Sequence, residues 1–306
     1  MPKVLVATEK PFAKVAVDGI KDICSKAGFE VALLEKYTDV KDFYAAVSDA
    51  DALIVRSDKV TKEVLDAAKQ LKIVVRAGAG FDNLDLEACT AHNVVAMNTP
   101  GQNSNSVAEL ALGMMIFMAR NGFTPVAGTE LLGKKLGIQG CGHVGCLIAE
   151  KAKAMGMEVW GFDPFLSNAD IEKRGLKPAK DLKELYSTCN YISLHIPAND
   201  QTKGSINYDL LKLMPKGGTL INTARKEVIN EPDMVKLLSE REDMKYITDI
   251  AAANQEELNK FAPRVFATPK KMGAQTAEAN INAGLAAASQ IVDFIKNGVK
   301  KFQVNK

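Results

Sequence analysis

The chain has 306 residues, too many for one simple hydrophobic core, so two domains are expected. Hydrophobic residues make up 47% and charged residues 25%, as in ordinary globular proteins, and 39 basic residues nearly balance 37 acidic ones, for a net charge of +2. With no basic block there is nothing to attract nucleic acid or an anionic membrane, and the longest apolar run, 107–119, is interrupted by Glu109 and too short to span a bilayer.

The start, MPKVLVATEK, reads as a first strand and not as a signal peptide. Short buried strands follow at 4–7, 31–34, 52–55, 73–75 and 94–97, with helical periodicity between them, as at 14–27 and 62–70. That alternation predicts an open, mostly parallel sheet with helices on its faces. A long apolar helix runs over 104–120, and a second α/β unit begins near Lys135. Its strands fall at 136–139, 159–162, 191–194, 219–222, 246–248 and 265–267. A last helix over 276–297 returns the chain to the first unit. The fold class is therefore α/β: two Rossmann-like, doubly wound parallel-sheet domains with a cleft between them. The expected division is 1–100, completed by 277–306, for substrate, and 101–276 for a dinucleotide.

Residues 137–163, GIQGCGHVGCLIAEKAKAMGMEVWGFD, state the ligand class. Gly140, Gly142 and Gly145 form G-x-G-x-x-G between a strand and a helix, and Asp163 ends the next strand. Gly140 makes the tight turn, Gly142 lets the backbone approach a pyrophosphate, and Gly145 lets helix and strand pack. The helix start, with His143 and Val144, offers free N–H groups and partial positive charge to the phosphates. Asp163 can accept from both hydroxyls of the adenosine ribose and would repel a 2′-phosphate. No arginine follows it in Pro164-Phe165-Leu166, so NAD is expected over NADP. The five cysteines (Cys24, Cys89, Cys141, Cys146 and Cys189) are odd in number and scattered, without disulfide or zinc spacing. They fit a reducing compartment, the cytoplasm, and no metal. Cys141, inside the glycine loop, reads as a small filler, although its oxidation would obstruct the pyrophosphate.

Five stretches together resemble the D-2-hydroxyacid dehydrogenases over essentially the whole chain: VRAGAGFDNLDL at 75–86, MNTPGQNSNSVAEL at 97–110, the glycine loop, LHIPANDQTKG at 194–204 and LMPKGGTLINTARKEVIN at 213–230. Within that family the chain is most similar to short phosphoglycerate dehydrogenases. The resemblance implies that the backbone of Ala77, Gly78, Ala79 and Gly80 holds the substrate carboxylate, a role suited to a small-residue loop after a strand. It implies that Arg225 orients the substrate and polarises its carbonyl, as a guanidinium fork can. Asp249 would hold the nicotinamide carboxamide, with Thr223 and Ala224 beside the cofactor, and His195 and Pro197 would line the adenosine side. His195 is thus structural and no acid–base group. Arg56, with Ser57 and Lys59, would hold a substrate phosphate, Lys59 being equally readable as a solvated loop residue. Asn103 is a candidate cleft residue.

One part of the family pattern is broken. Hydride transfer from an alcohol carbon needs a group for the hydroxyl proton, and most of the family uses a histidine in TPH-x-G, oriented by a glutamate. The three histidines here are His92, His143 and His195, and the matching stretch reads TPKKMGAQTAEAN. Counting back from Gly273 puts Lys271 in the histidine position; counting forward from Pro269 puts Lys270 there. The glycine and the helix after it favour Lys271. In the glutamate position stands Asn254, and Glu256 and Glu257 just beyond it fit an exposed first helical turn as well as an orienting role. An ordinary lysine (pKa ~10.4) would need a downward shift of ~3 units to act as a base near pH 7.5.

The implied activity is NAD-dependent oxidation of D-3-phosphoglycerate to 3-phosphohydroxypyruvate, the entry to serine synthesis, by a homodimer without nucleic-acid or membrane partners. The chain ends soon after the returning helix, so no serine feedback through a carboxy-terminal regulatory domain is expected. The alternatives are another D-2-hydroxyacid dehydrogenase, such as a glyoxylate or hydroxypyruvate reductase, and a non-catalytic NAD-binding interaction module.

Overall fold

The computed structural model describes residues 1–305, which form two compact units: 1–103 with 275–305, and 104–274. In the first unit β1 (Lys3–Thr8), α1 (Lys14–Lys26), β2 (Glu30–Glu35), α2 (Val40–Val47), β3 (Ala52–Val55), α3 (Lys62–Ala67), β4 (Ile73–Arg76), α4 (Leu86–Ala91) and β5 (Val95–Asn98) alternate in strict order. The sheet runs β2-β1-β3-β4-β5, with every pair parallel. β3 and the first three residues of β4 are wholly buried runs of Ala, Leu, Ile and Val, the signature of a sheet covered on both faces. Strand order reverses between β1 and β3, so the loops after Thr8 and Val55 flank the crevice where open α/β sheets bind ligands.

The second unit contains α5 (Ser104–Ala119), β6 (Lys135–Gln139), α6 (His143–Ala154), β7 (Glu158–Phe162), α7 (Asn168–Lys173), β8 (Lys177–Pro178), α8 (Leu182–Thr188), β9 (Tyr191–Leu194), α9 (Tyr208–Leu211), β10 (Thr219–Asn222), α10 (Glu231–Glu240), β11 (Lys245–Thr248), α11 (Gln255–Asn259) and β12 (Val265–Ala267). Its sheet is again parallel, in the order β12-β11-β10-β9-β6-β7-β8. Counted from β6, this is the 3-2-1-4-5-6 arrangement of a dinucleotide-binding sheet with one strand added, and the reversal falls between β6 and β9. The sequence patterns miss β8, whose two residues are too few for a period; its Pro178 suits an edge position.

The final helix, α12 (Ala277–Asn297), packs within the first unit. Its Ala283, Ala287, Ala288 and Ile291 join Ala16, Val17 and Ile20 of α1 in one core, and Gly284 sits where a β-carbon would come within 3.1 Å of Phe12. Burying one large aliphatic side chain such as Ile291 contributes about 1.5–3 kcal/mol, so this stripe holds the helix in place. Thr276 caps its start by accepting from the Ala279 N–H, and Gly298, with φ +68°, ends it in the left-handed conformation. No helix among the described residues is long and apolar enough to cross a membrane.

Candidate active site

The glycine turn sits at the strand-order reversal of the second unit. Gly140 has φ +96°, and a β-carbon on it would lie 2.7 Å from the carbonyl oxygen of His195. Gly145 is buried in α6, where a β-carbon would lie 2.8 Å from Ile138 on β6. Gly142 is different: it caps α6, and no protein atom would come within 4 Å of an added β-carbon. Two glycines thus serve the protein's own packing, while the third faces open space at a helix N-terminus. A diphosphate fits that space, with the first N–H groups of α6 as donors; exposed His143 and half-buried Val144 open the helix.

Asp163, just past β7, is pinned to this turn. Its Oδ2 accepts from the Cys141 N–H at 3.0 Å and its Oδ1 from the Phe165 N–H at 3.0 Å. Each carboxylate oxygen keeps further acceptor capacity for a ribose hydroxyl. No arginine follows Asp163 within three residues, but Arg174, at the end of α7, donates from Nη1 to the Cys141 carbonyl at 2.5 Å. Cys141 itself is buried with the core around Ile138 and Leu176, and burial followed by the nearby Asp163 charge pushes its thiol up to about 12. It is a filler that faces the core.

Ser193 and the His195 ring lie 2.8 Å apart (Oγ to Nε2), and the His195 N–H extends the ladder to the Gln139 carbonyl. Desolvation pushes the ring's pKa down to about 3, although part of the residue's surface stays exposed. A ring held neutral in this way matches the structural role. Pro197 lies on the exposed loop that follows, its carbonyl accepting from Thr202 Oγ1 at 2.5 Å.

The chemistry-bearing residues converge beyond β10. Thr223 is buried and its Oγ1 has no hydrogen-bond partner. Ala224 is buried too, and its carbonyl accepts from Arg225 Nη1 at 3.0 Å and from Lys271 Nζ at 2.8 Å. Asp249, after β11, is fully buried; Oδ2 accepts from the Gly273 N–H at 3.0 Å and Oδ1 has no partner. Desolvation raises its pKa, against the opposing charges of Lys271 and Arg225. An unpaired carboxylate oxygen in a buried site is costly, and a carboxamide N–H₂ is a donor that would satisfy it. Lys270 is exposed, whereas Lys271 points inward at the Ala224 carbonyl. Glu256 and Glu257 are exposed in the first turn of α11, and the Asn254 side-chain oxygen is buried without a partner.

In the first unit, Arg56 follows β3 at the other strand-order reversal. Its Nη1 donates to the carbonyls of Lys10 (2.8 Å) and Pro11 (3.0 Å), and its Nη2 to Asn280 Oδ1 (2.6 Å). Three of its five donors are therefore engaged with protein. Ser57 and Lys59 are exposed, and Asp58 between them is buried, accepting from the Glu9 N–H and the Tyr37 hydroxyl. The Ala77–Gly80 loop is held by Asn98, which donates to the Ala79 carbonyl at 2.6 Å, and by the Thr99 N–H, which donates to the Gly78 carbonyl. The Arg76 side chain covers Gly78, whose φ is +152°. Asn103 is half-buried at the end of this unit's first segment. Asn98, Arg76, Arg174 and Asn222 carry no motif of their own in the sequence; Arg76, Asn98 and Asn222, each ending a buried strand, carry a positional signal.

A seven-stranded parallel sheet with a glycine turn at its reversal and a pinned acid on the neighbouring strand defines a dinucleotide-binding oxidoreductase fold. Residues 114–270, just over half of the chain, match the D-isomer specific 2-hydroxyacid dehydrogenase, NAD binding domain. The chain belongs to the D-isomer-specific 2-hydroxyacid dehydrogenase family. It is 35% identical over 278 residues to D-3-phosphoglycerate dehydrogenase of Methanocaldococcus jannaschii, covering 85% of this chain and 52% of that protein. It is 32% identical to the Bacillus subtilis enzyme of the same name, covering 92% of this chain and 56% of the other. The chain thus spans about half the length of the curated relatives it matches. Among solved structures, NAD+-bound 3-phosphoglycerate dehydrogenase of Entamoeba histolytica aligns with a TM-score of 0.89 and 51% identity, covering 100% of this chain and 99% of that one.

Proposed function

We propose that this chain catalyses NAD-dependent oxidation of D-3-phosphoglycerate to 3-phosphohydroxypyruvate, at the entry to serine synthesis. The observation that carries the reading is the meeting of Lys271 Nζ and Arg225 Nη1 at the Ala224 carbonyl, beside buried Asp249. Bound NAD would supply the hydride acceptor. Gly142 and the start of α6 would take its diphosphate and Asp163 its ribose hydroxyls. Asp249 Oδ1 would take the carboxamide N–H₂, and Thr223 Oγ1 offers a further polar contact. Arg225 orients the substrate carboxylate and draws electron density from the developing carbonyl. Lys271, as the free amine, takes the hydroxyl proton as the alcohol is oxidised and, as the ammonium so formed, returns it in reduction. Ala77–Gly80 backbone groups bind carboxylate, and Arg56, Ser57 and Lys59 the phosphate, with Asn103 lining the substrate.

The relatives named D-3-phosphoglycerate dehydrogenase support this substrate. One observation favours a second reading, a reductase of unphosphorylated 2-oxo acids: the Arg56 donors already engaged with Lys10, Pro11 and Asn280. Removing the phosphate from the substrate separates the two. We also infer a cytoplasmic homodimer. Phe123, Val126 and Leu132 are largely exposed, and Phe123 stacks edge-on against Phe117, giving an apolar surface on the second unit that a partner copy would cover.

The test is NADH formation from D-3-phosphoglycerate at alkaline pH. Lys271→Ala is expected to lose kcat by about a hundredfold or more, on the order of an acid–base group, and exposed Lys270→Ala to stay near the parent. Equal loss in both variants, or none in Lys271→Ala, would remove Lys271 from the role. A parent that binds NAD yet turns over neither this acid nor its unphosphorylated analogues would sink the enzyme reading.

A further inference from the structure

The family's orienting glutamate has no counterpart here: Asn254 stands in its place, and Glu256 and Glu257 point to solvent. The Lys271 ammonium, on a four-carbon stem far more flexible than an imidazole ring, donates to the Ala224 carbonyl at 2.8 Å, and the same oxygen takes Arg225 Nη1 at 3.0 Å.

That carbonyl is itself fixed from behind. Asn222, the last residue of β10, is fully buried. Its Oδ1 accepts from the Ala224 N–H at 3.0 Å and its Nδ2 donates to the Arg225 carbonyl at 2.9 Å, so one side chain closes the turn on both sides of the Ala224–Arg225 peptide. An Asn amide offers both an acceptor and donors, and one of each is used here. Asp lacks the donor and Leu lacks both, so the two bonds give the buried amide one orientation.

We infer that Asn222 is a positioning residue: it aims the Ala224 carbonyl so that this backbone oxygen orients Lys271 and registers it against Arg225. The inference rests on the dehydrogenase reading only for its kinetic arm; the pair itself is readable without turnover.

The experiment compares the parent with Asn222→Ala and Asn222→Asp. Lysine acetylation by acetic anhydride is followed peptide by peptide, beside NAD affinity and steady-state kinetics. Asn222→Ala is expected to raise the acetylation rate of Lys271 at least threefold relative to exposed Lys300, and to lower kcat at least tenfold with the NAD Kd within twofold. Asn222→Asp keeps the acceptor for the Ala224 N–H and loses the donor to the Arg225 carbonyl, so it falls between and guards against a misfolded alanine variant. Unchanged Lys271 labelling in a folded Asn222 variant overturns the inference. If the parent shows no turnover, the labelling arm still decides it, and only the function proposed above is lost.

Discussion

Gly140 and Gly142 stand two residues apart in one motif and answer to different demands. At Gly140 a side chain would need φ +96° and would strike the His195 carbonyl; at Gly142 it would meet nothing. Gly140→Ala is therefore expected to cost folding stability, about 1–3 kcal/mol from the backbone conformation alone, and to lower the Tm measurably. Gly142→Ala should leave the Tm within a degree or two and weaken NAD at least tenfold, because its methyl would occupy the space left for the diphosphate. Calorimetric melting and fluorescence titration of NAD check both; equal affinity in Gly142→Ala and parent would argue against a diphosphate there. The positions of such residues were legible from spacing. The roles of Asn222 and Arg174 were not, since a hydrogen bond across a turn or from the end of the next helix leaves no periodic mark in the chain. The Lys270–Lys271 ambiguity is of the same kind: two adjacent lysines read alike, and only the direction of the side chain separates them.

At the scale of elements the sequence carried more. Buried parallel strands show as unbroken apolar runs and long helices as sustained periodicity, so the ranges read at 52–55, 191–194 and 219–222 coincide with β3, β9 and β10. Boundaries elsewhere differ by one to three residues: a polar residue such as Lys3 or Lys135 still pairs in the ladder, and α3 stops at Ala67 where periodicity ran to Gln70. Very short pieces such as β8 escape because propensity and pattern need several residues to speak. The cap of α12 allows a test. Thr276 Oγ1 satisfies the Ala279 N–H at 3.1 Å, so Thr276→Ala should cost about 1 kcal/mol in urea unfolding, and Thr276→Ser or Thr276→Asp should retain most of the stability.

For the whole molecule, the ionisations that burial displaces govern how it withstands acid. His195 has its pKa pushed down to about 3 by desolvation. A depressed histidine binds its proton more readily when unfolded, so its contribution is intact above pH ~6.5 and is lost progressively as pH falls toward 3. We expect His195→Gln to lose less stability than the parent between pH 6.5 and 4, by about 1–3 kcal/mol after allowing for the partly exposed residue, as measured by denaturant unfolding at each pH. Coincident pH curves for the two proteins would contradict this.

The bare oxygen of Asp249 has a consequence beyond the chemistry it serves. A buried acceptor without a donor leaves the cofactor-free unit short of its full stability, by about 1–3 kcal/mol. Saturation with NAD at a hundred times its Kd adds about 2.7 kcal/mol by mass action. Because Asp249, Asp163 and Gly142 all belong to residues 104–274, that gain should appear in the melting of this unit, as a calorimetric transition that climbs with added NAD.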